Sequence, residues 1–531
     1  MGERPNFLFI ITDQQRADHL GCYGNTVLRT PNMDALAARG ARFERFYVAS
    51  PVCMPNRATL LTGRMPTLHK VRMNGIPLHF DQVTFPQLLR AAGYRTALIG
   101  KAHFQNMTDR APLLTRRATD SLIRIAGFDE ATRNSVATAG YDQERRSRWR
   151  DPRHRIVTPY YGFDEVELCN DHGDKTFGDY ERWATRREPQ FDELRGAANA
   201  ACDAAHVLPQ AWRTRVPEEL YSTHYVAERA TAWLEQHASS GTRKPFFLAL
   251  SFPDPHHPFT PPGRYWNLYS PEDVTPPRTC RTPAPSAPPH VRWLHAQHAA
   301  GSALRDSALA FAVSADEARV AMALTYGMIT MIDERIGEVL RALTRAGIAS
   351  NTVVVFTSDH GDLMGDHGLL LKAPIHYQGL IRVPFIWSEP GRQSGDTRDD
   401  LSGTLDIATT ILQRAGIAPP QGMQGRNLFD RTTAPHLREP DSMLVEDETQ
   451  GASLGFEEPI RMRTLVTRRW RLTLNRNQGW GELYDLENDP DENRNLWAQP
   501  DARENCNALV EMLARKMMDL SDGSPLPTAR A

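Results

Sequence analysis

Three apolar runs that each stop abruptly on polar, chemically competent residues constrain this chain more than any other feature. They are Phe7–Thr12, Thr96–Gly100 and Thr352–Ser358, followed by Asp13-Gln14, Lys101-Ala-His103 and Asp359-His360-Gly361-Asp362. Short, continuously apolar and β-branched segments of this kind predict strands buried on both faces, as in a parallel sheet. A fourth run, Pro245–Phe252, leads into Pro253-Asp-Pro-His-His-Pro258. Ligands of open α/β sheets bind beyond the carboxyl ends of the strands, so these four ends predict one site. Helices are expected between them, at Pro31–Gly40, Thr84–Gly93 and Ala318–Ala346. In the last, Leu324, Met328, Met331, Ile332, Ile336, Val339, Leu340 and Leu343 keep helical spacing up to Gly347. The expected class is α/β, with a large, mostly parallel central sheet flanked by helices.

The chain is long enough, at 531 residues, for one large domain and a smaller one. Residues 1–425 read as the α/β domain. Within it, 107–159 (arginine-rich) and 271–318 (proline-rich) read as irregular insertions near the substrate entrance. Residues 426–531 read as a C-terminal α+β subdomain with an antiparallel sheet. Its expected strands are Arg463–Val466, Trp470–Leu474 and Glu482–Leu486, with a helix at Ala502–Leu520.

The net charge of −2 provides no global field for nucleic acid or an anionic membrane. An anionic substrate must be met by local basic residues. No run of about 18 apolar residues predicts a membrane span. The N-terminus passes straight into Asn6-Phe-Leu-Phe-Ile-Ile-Thr12 without the pattern of a secretory signal, so the cytoplasm is expected. The six cysteines, Cys22, Cys53, Cys169, Cys202, Cys280 and Cys506, lack CxxC spacing and read as reduced thiols. Nothing in the sequence reports on self-association, and a homo-oligomer is compatible with it.

The segment Pro51-Val-Cys53-Met-Pro55-Asn-Arg57-Ala-Thr-Leu-Leu-Thr62-Gly63-Arg64 carries the chemistry. Pro55 suits the first turn of a helix, where its missing N–H has no partner to lose. Cys53 then lies at a helix N-terminus, where amide N–H groups and the dipole favour negative charge. Arg57, one turn on, is expected to point back toward the same spot. The plainer alternative is a buried thiol beside a structural arginine.

Cys-x-Pro-x-Arg followed by Leu-Thr-Gly-Arg resembles the signature of the type I, formylglycine-dependent sulfatases of the alkaline phosphatase superfamily. The resemblance implies an alkaline-phosphatase-like sandwich. It also implies that a formylglycine-generating enzyme or equivalent maturase oxidises Cys53. The hydrate of the resulting aldehyde would attack sulfur, and its second hydroxyl would then lose a proton to expel sulfate. Asn56 departs from the serine commonest in the family. Asp13, Cys53, Asp359 and His360 would hold one divalent cation, Ca²⁺ or Mn²⁺, with Mg²⁺ also compatible. Gln14 stands where many sulfatases place a second aspartate, and His360 where many have asparagine. That combination looks more like choline sulfatases and phosphonate monoester hydrolases.

The resemblance extends further along the chain. Gly100-Lys101-Ala-His103 is similar to the family's Gly-Lys-x-His, in which the lysine meets sulfate and the histidine holds the hydrate. Pro255-His256-His257-Pro258-Phe259 is similar to Pro-His-x-Pro-Phe, which implies that His256, rather than His257, lies near the leaving oxygen. Lys372 matches a lysine that reaches sulfate from the opposite side. The expected activity is therefore hydrolysis of a small-molecule or carbohydrate sulfate ester, as in an arylsulfatase. An alternative is a phosphonate monoester or phosphodiester hydrolase using the same nucleophile and metal, because sulfur and phosphorus oxyanions share tetrahedral geometry. A non-enzymatic binder of sulfated ligands, with Cys53 unconverted, is the third reading.

Some residues are set aside. Asp171-His-Gly-Asp174 repeats the letters of Asp359–Asp362 but follows no evident strand, so no second metal site is expected there, although His172 is a candidate for the pocket wall. His290, His295 and His298 read as a surface loop. Glu482–Pro490 resembles the sulfatase C-terminal strand and turn, and its acids read as turn chemistry.

Overall fold

The computed structural model describes residues 4–114, 136, 140–201, 208–392, 395–430 and 441–530. Its centre is a nine-stranded sheet. In spatial order the strands are Asp396–Arg398, Ala41–Phe43, Phe385–Ser388, Thr352–Ser358, Asn6–Thr12, Phe246–Ser251, Arg95–Gly100, Glu165–Asn170 and Phe177–Gly178. The five strands from Thr352–Ser358 to Glu165–Asn170 run parallel, and Phe385–Ser388 and Phe177–Gly178 are antiparallel to their neighbours. All four predicted strands are present, adjacent and in register, with Thr12 opposite Ser358 and Gly100 opposite Ser251. Their carboxyl ends therefore lie side by side.

The alternation of each strand fills two cores. Leu8, Ile10, Leu248, Leu250, Val354 and Phe356 face the long helix Ala315–Arg345 and the helix Ser222–Ser239. Phe7, Phe9, Ile11, Phe247, Val353 and Val355 face the helices Cys53–Thr62, Phe85–Ala91 and Ile407–Arg414. The long helix begins three residues before its predicted start because Ser314 and Glu317 close a capping box, and the helix at Phe85 begins the same way through Thr84 and Gln87.

The small sheet has four antiparallel strands, Met443–Glu448, Arg461–Val466, Trp470–Asn475 and Gly481–Asp485. Leu444, Leu465, Leu472 and Leu483 cover one face and pack with Leu509 and Leu513 of the helix Arg503–Asp519. The proposed domain boundary after 425 falls between the helix Ile407–Arg414 and Met443, with 431–440 outside the described residues. No helix among the described residues is long and apolar enough to cross a membrane.

Several expectations need correction. The strand Met443–Glu448 was not anticipated, since half of it is Glu-Asp-Glu, yet all six residues are buried. The insertion 271–318 is not irregular throughout: it contains the helix Pro289–Ala299 and the strand Phe311–Ala312. His290, His295 and His298 lie on that helix rather than on a loop, and His290 is fully enclosed. Much of the 107–159 insertion lies outside the described residues, and the described part includes the short helix Arg146–Trp149. Glu482 is not a turn residue; it is buried and paired with the buried Arg471 at 3.1 Å. The segment Asp171–Asp174 does follow a strand, Glu165–Asn170.

Candidate active site

Cys53 is the first residue of its helix, which Gly63 ends in the left-handed conformation at φ 61°. The thiol is 2% exposed and stands over the ends of the two central strands. Its sulfur lies 3.1 Å from His360 Nε2, 3.0 Å from Lys372 Nζ and 4.0 Å from Asp13 Oδ1. Ligand atoms of Asp13, Cys53, Asp359 and His360 all fall within 4.8 Å of one another. His360 Nδ1 faces the carbonyl of Gly361 at 2.9 Å, which fixes a donor there and turns Nε2 toward Cys53. Gly361 permits this turn because a Cβ there would meet the carbonyl oxygen of Gly379 at 1.9 Å.

The donor set fits a hard divalent cation, with two carboxylates, one imidazole and the Cys53 position converging in a buried space. Gln14 supports the fit. Its Oε1 is buried without a hydrogen-bond partner, whereas its Nε2 donates to Asp362 and meets His257 Nδ1 at 3.2 Å.

Cations surround this cluster. Arg57 does not hydrogen-bond Cys53. It donates to Asp359 Oδ2 at 2.8 Å, Asp13 Oδ2 at 3.2 Å, the carbonyl of Lys101 at 3.1 Å and Ser251 Oγ at 2.9 Å. Lys101 Nζ is fully buried, pairs with Asp13 and meets His172 Nε2 at 2.6 Å. Gly100 delivers that lysine: its φ is +115°, and a Cβ would strike the carbonyl oxygen of Ser251 at 1.9 Å. Lys372 Nζ lies 3.0 Å from His256 Nε2 and 2.8 Å from His360 Nε2. His103 is buried in a left-handed conformation, φ 54°, with Nδ1 unpartnered.

The electrostatics follow from this packing. Burial raises the pKa of Asp13, but Lys101 and Arg57 outweigh it and hold the carboxyl well below its usual range. Burial and Asp13 push the Cys53 thiol up, and Lys372, His360 and Lys101 more than reverse that, so the pKa falls. Burial drives His256 and His257 well below the usual histidine value, and the cations around them add to the effect. Both imidazoles are neutral acceptors.

All ten predicted or discussed groups near the strand ends (Asp13, Gln14, Cys53, Arg57, Lys101, His103, His256, Asp359, His360 and Lys372) are therefore buried or nearly so around one point. Two further participants were not anticipated, Ser251 on Arg57 and His257 on Gln14, and His172, the candidate for the pocket wall, meets Lys101. A separate cavity of about 550 Å³, lined by Arg16, Asp18, His19, Arg278, Tyr326 and Arg382 among others, contains none of the predicted groups.

Asn56 is also explained. Its Oδ1 accepts from the Ala49 amide at 3.2 Å and from Thr404 Oγ1 at 2.7 Å, and its Nδ2 donates to the carbonyl of Asp359. A serine is too short to reach all three. Asn56→Ala strands buried polar partners, each costing about 1–3 kcal/mol, so a total loss of roughly 3 kcal/mol is expected in denaturant unfolding. An unchanged unfolding midpoint would remove Asn56 from this role.

A statistical model of the sulfatase family matches residues 5–417, and one described as N-sulphoglucosamine sulphohydrolase, C-terminal, matches 365–521. An arylsulfatase of Clostridium perfringens is 28% identical over 98% of this chain and 96% of its own length. The multifunctional alkaline phosphatase superfamily protein PehA of Trinickia caryophylli is 29% identical over 80% of this chain and 76% of its own. The crystal structure of a phosphonate monoester hydrolase of Agrobacterium radiobacter shares the fold, with a TM-score of 0.74 at 24% identity over 98% of this chain and 96% of that one. With its family match spanning most of the sequence and its strand ends converging on Cys53, this chain belongs to the sulfatase family.

Proposed function

We propose that this protein hydrolyses sulfate monoesters to an alcohol and inorganic sulfate, with formylglycine at position 53 as the nucleophile. The observation that carries the reading is the position of Cys53, touching Lys372 and His360 and facing Asp13 across the carboxyl ends of the parallel strands. Asp13, Asp359, His360 and residue 53 would hold a divalent cation, Ca²⁺ or Mn²⁺, with Mg²⁺ also compatible. When bound, such an ion neutralises charge on the ester oxygens and favours the ionised hydroxyl of the residue 53 hydrate. Arg57 fixes the spacing of the two carboxylates. Lys101 and Lys372 approach from opposite sides and bind the sulfuryl oxygens. His256 Nε2 and Lys372 Nζ, 3.0 Å apart, hold the proton that the departing alcohol takes up as its S–O bond breaks. His103 steadies the residue 53 side chain from the Lys101 loop.

The substrate class is a small-molecule or carbohydrate sulfate ester, matching relatives named arylsulfatase, choline-sulfatase and N-acetylglucosamine-6-O-sulfatase. A maturase that converts Cys53 must reach it before the chain folds, because the folded thiol is 2% exposed. A reducing, cytoplasmic setting accords with the free thiols of Cys22, Cys53, Cys169, Cys280 and Cys506. Phosphonate monoester hydrolysis is a side activity of the same site, favoured by Gln14 beside His360.

The test is product analysis with converted enzyme. An aryl sulfate should yield phenol and inorganic sulfate in equal amounts, and phenyl phosphonate esters should react more slowly. A large phosphonate preference would reverse the assignment. Removing the cation gives a second readout. Chelation should abolish turnover and lower the thermal midpoint, and adding Ca²⁺ or Mn²⁺ at about 100 times its Kd should restore roughly 2.7 kcal/mol of stability. A midpoint indifferent to chelator and cation would contradict the metal site.

A further inference from the structure

His172, named above only as a candidate for the pocket wall, joins the two basic arms of the site. It follows the strand Glu165–Asn170 through a tight turn that puts Asp171, a non-glycine residue, in the left-handed region at φ 77°. Backbone strain of this kind persists only where surrounding contacts over-determine it. Here they do. A Cβ on Gly173 would lie 2.9 Å from the carbonyl oxygen of Pro258, so the turn is seated directly on the His256–Pro258 loop. The buried Asp174 locks it by accepting from the Gly196 amide at 2.8 Å and Trp212 Nε1 at 2.9 Å.

The imidazole makes two functional contacts. Its Nε2 lies 2.6 Å from Lys101 Nζ, and an ammonium has only donors, so Nε2 must accept. Its Nδ1 faces Asp171 Oδ1 at 3.4 Å, which favours the tautomer that leaves Nε2 free to do so. Its ring also lies flat against His256, with centroids 3.5 Å apart and planes 14° apart. Burial and Lys101 lower its pKa to about 4, consistent with a neutral acceptor. A second metal site at Asp13, His172 and His256 is disfavoured, because the Lys101 ammonium already sits between Asp13 and His172 and contacts both.

We propose that His172 is a positioning residue that aims Lys101 at the sulfuryl oxygens through its Nε2 and holds His256 toward the leaving oxygen through its ring. Among the described residues, Lys101 Nζ would otherwise be anchored only by Asp13, a residue that the cation would also engage. The His172 side chain is 15% exposed against 0% for Lys101, so it meets the lysine from the more open side.

This inference rests on the sulfatase reading for its substrates, and the experiment separates the two. Wild type, His172→Ala, His172→Gln and His172→Phe are compared on aryl sulfates of graded leaving-group pKa, and their affinity for inorganic sulfate is measured directly. His172→Ala should lose about 10- to 100-fold in kcat/KM, the usual range for a group that orients site residues. The loss in kcat should grow with leaving-group pKa, because His256 drifts, and sulfate should bind more weakly, because Lys101 does. Glutamine keeps an acceptor for Lys101 and should restore sulfate affinity but not the leaving-group trend; phenylalanine should do the reverse. Wild-type values for both quantities in His172→Ala would overturn the proposal. So would equal losses in all three variants accompanied by a lowered thermal midpoint, which would mark a purely structural histidine. Should wild type hydrolyse no aryl, choline or carbohydrate sulfate ester, the sulfatase reading fails, and the sulfate affinities of the alanine and glutamine variants still decide whether His172 holds Lys101.

Discussion

Replacing Cys53 with alanine is expected to abolish turnover, by at least ~10⁴-fold in kcat, while leaving the fold intact. The thiol accepts from Lys372 and faces His360 but supports no backbone group, so a small cavity is the only structural consequence. Loss of stability should stay within about 1.5 kcal/mol. Cys53→Ser is the sharper variant. A serine hydroxyl beside Lys372 and His360 can still attack sulfur, since the same cations face it. It has no geminal hydroxyl whose deprotonation would then expel sulfate. The variant should therefore react once per site and stop, leaving a sulfated serine visible by intact-protein mass spectrometry. Continued turnover by Cys53→Ala, after purification to constant specific activity, would show that residue 53 is not the nucleophile. Multiple turnovers by Cys53→Ser would show that release does not depend on a hydrate.

Much of this site was legible in the chain because its parts sit where strand chemistry changes abruptly. Phe7–Thr12 and Thr352–Ser358 are apolar enough to be buried on both faces, and the acids that follow can only lie at the sheet's edge. The pairing of Thr12 with Ser358 then sets Asp13 beside Asp359. The fifth parallel strand was missed because Glu165-Val-Glu-Leu-Cys-Asn170 mixes charge into its first half, where Glu165 and Glu167 meet Arg95 and Arg229 near the surface. Its alternation of Glu with Val and Leu was the available signal. Missing the strand made the Asp171–Asp174 repeat look unplaced and left His172 a candidate for the pocket wall with no partner named.

Contacts between distant segments were less legible still. Helical spacing correctly put Arg57 over the site but carried no record of which carboxylates it would meet, because those lie 44 and 302 positions away in sequence. Asn56 looked like a departure from a motif, when its three hydrogen bonds join the helix to Ala49, Thr404 and Asp359. Met443–Glu448 looked too acidic to be buried, yet Arg72, Arg461 and Arg463 neutralise Glu446 and Glu448 from outside the strand. In each case the deciding partner comes from elsewhere in the fold.

Arg57→Ala should damage stability and activity together, and the balance between them should depend on the cation. The guanidinium is 3% exposed and ties together the ends of four parallel strands through Asp13, Lys101, Ser251 and Asp359. Removing it leaves two fully buried carboxylates with less compensation, and losing one partner of a buried ion pair costs about 3–5 kcal/mol. Asp13 keeps Lys101, so the deficit falls mainly on Asp359. A divalent ion at the site supplies positive charge to that same carboxylate. The difference in unfolding free energy between wild type and Arg57→Ala should therefore be largest in chelator and shrink when Ca²⁺ or Mn²⁺ is saturating. Activity should not recover with the cation, because the spacing of Asp13 and Asp359 depends on the planar fork and not on charge alone. Arg57→Lys should confirm this by regaining part of the stability but little of the turnover, since one ammonium cannot span both carboxylates and Ser251. Equal destabilisation with and without cation would mean that Arg57 and the metal act on separate groups, and the shared role of Asp359 would have to be abandoned.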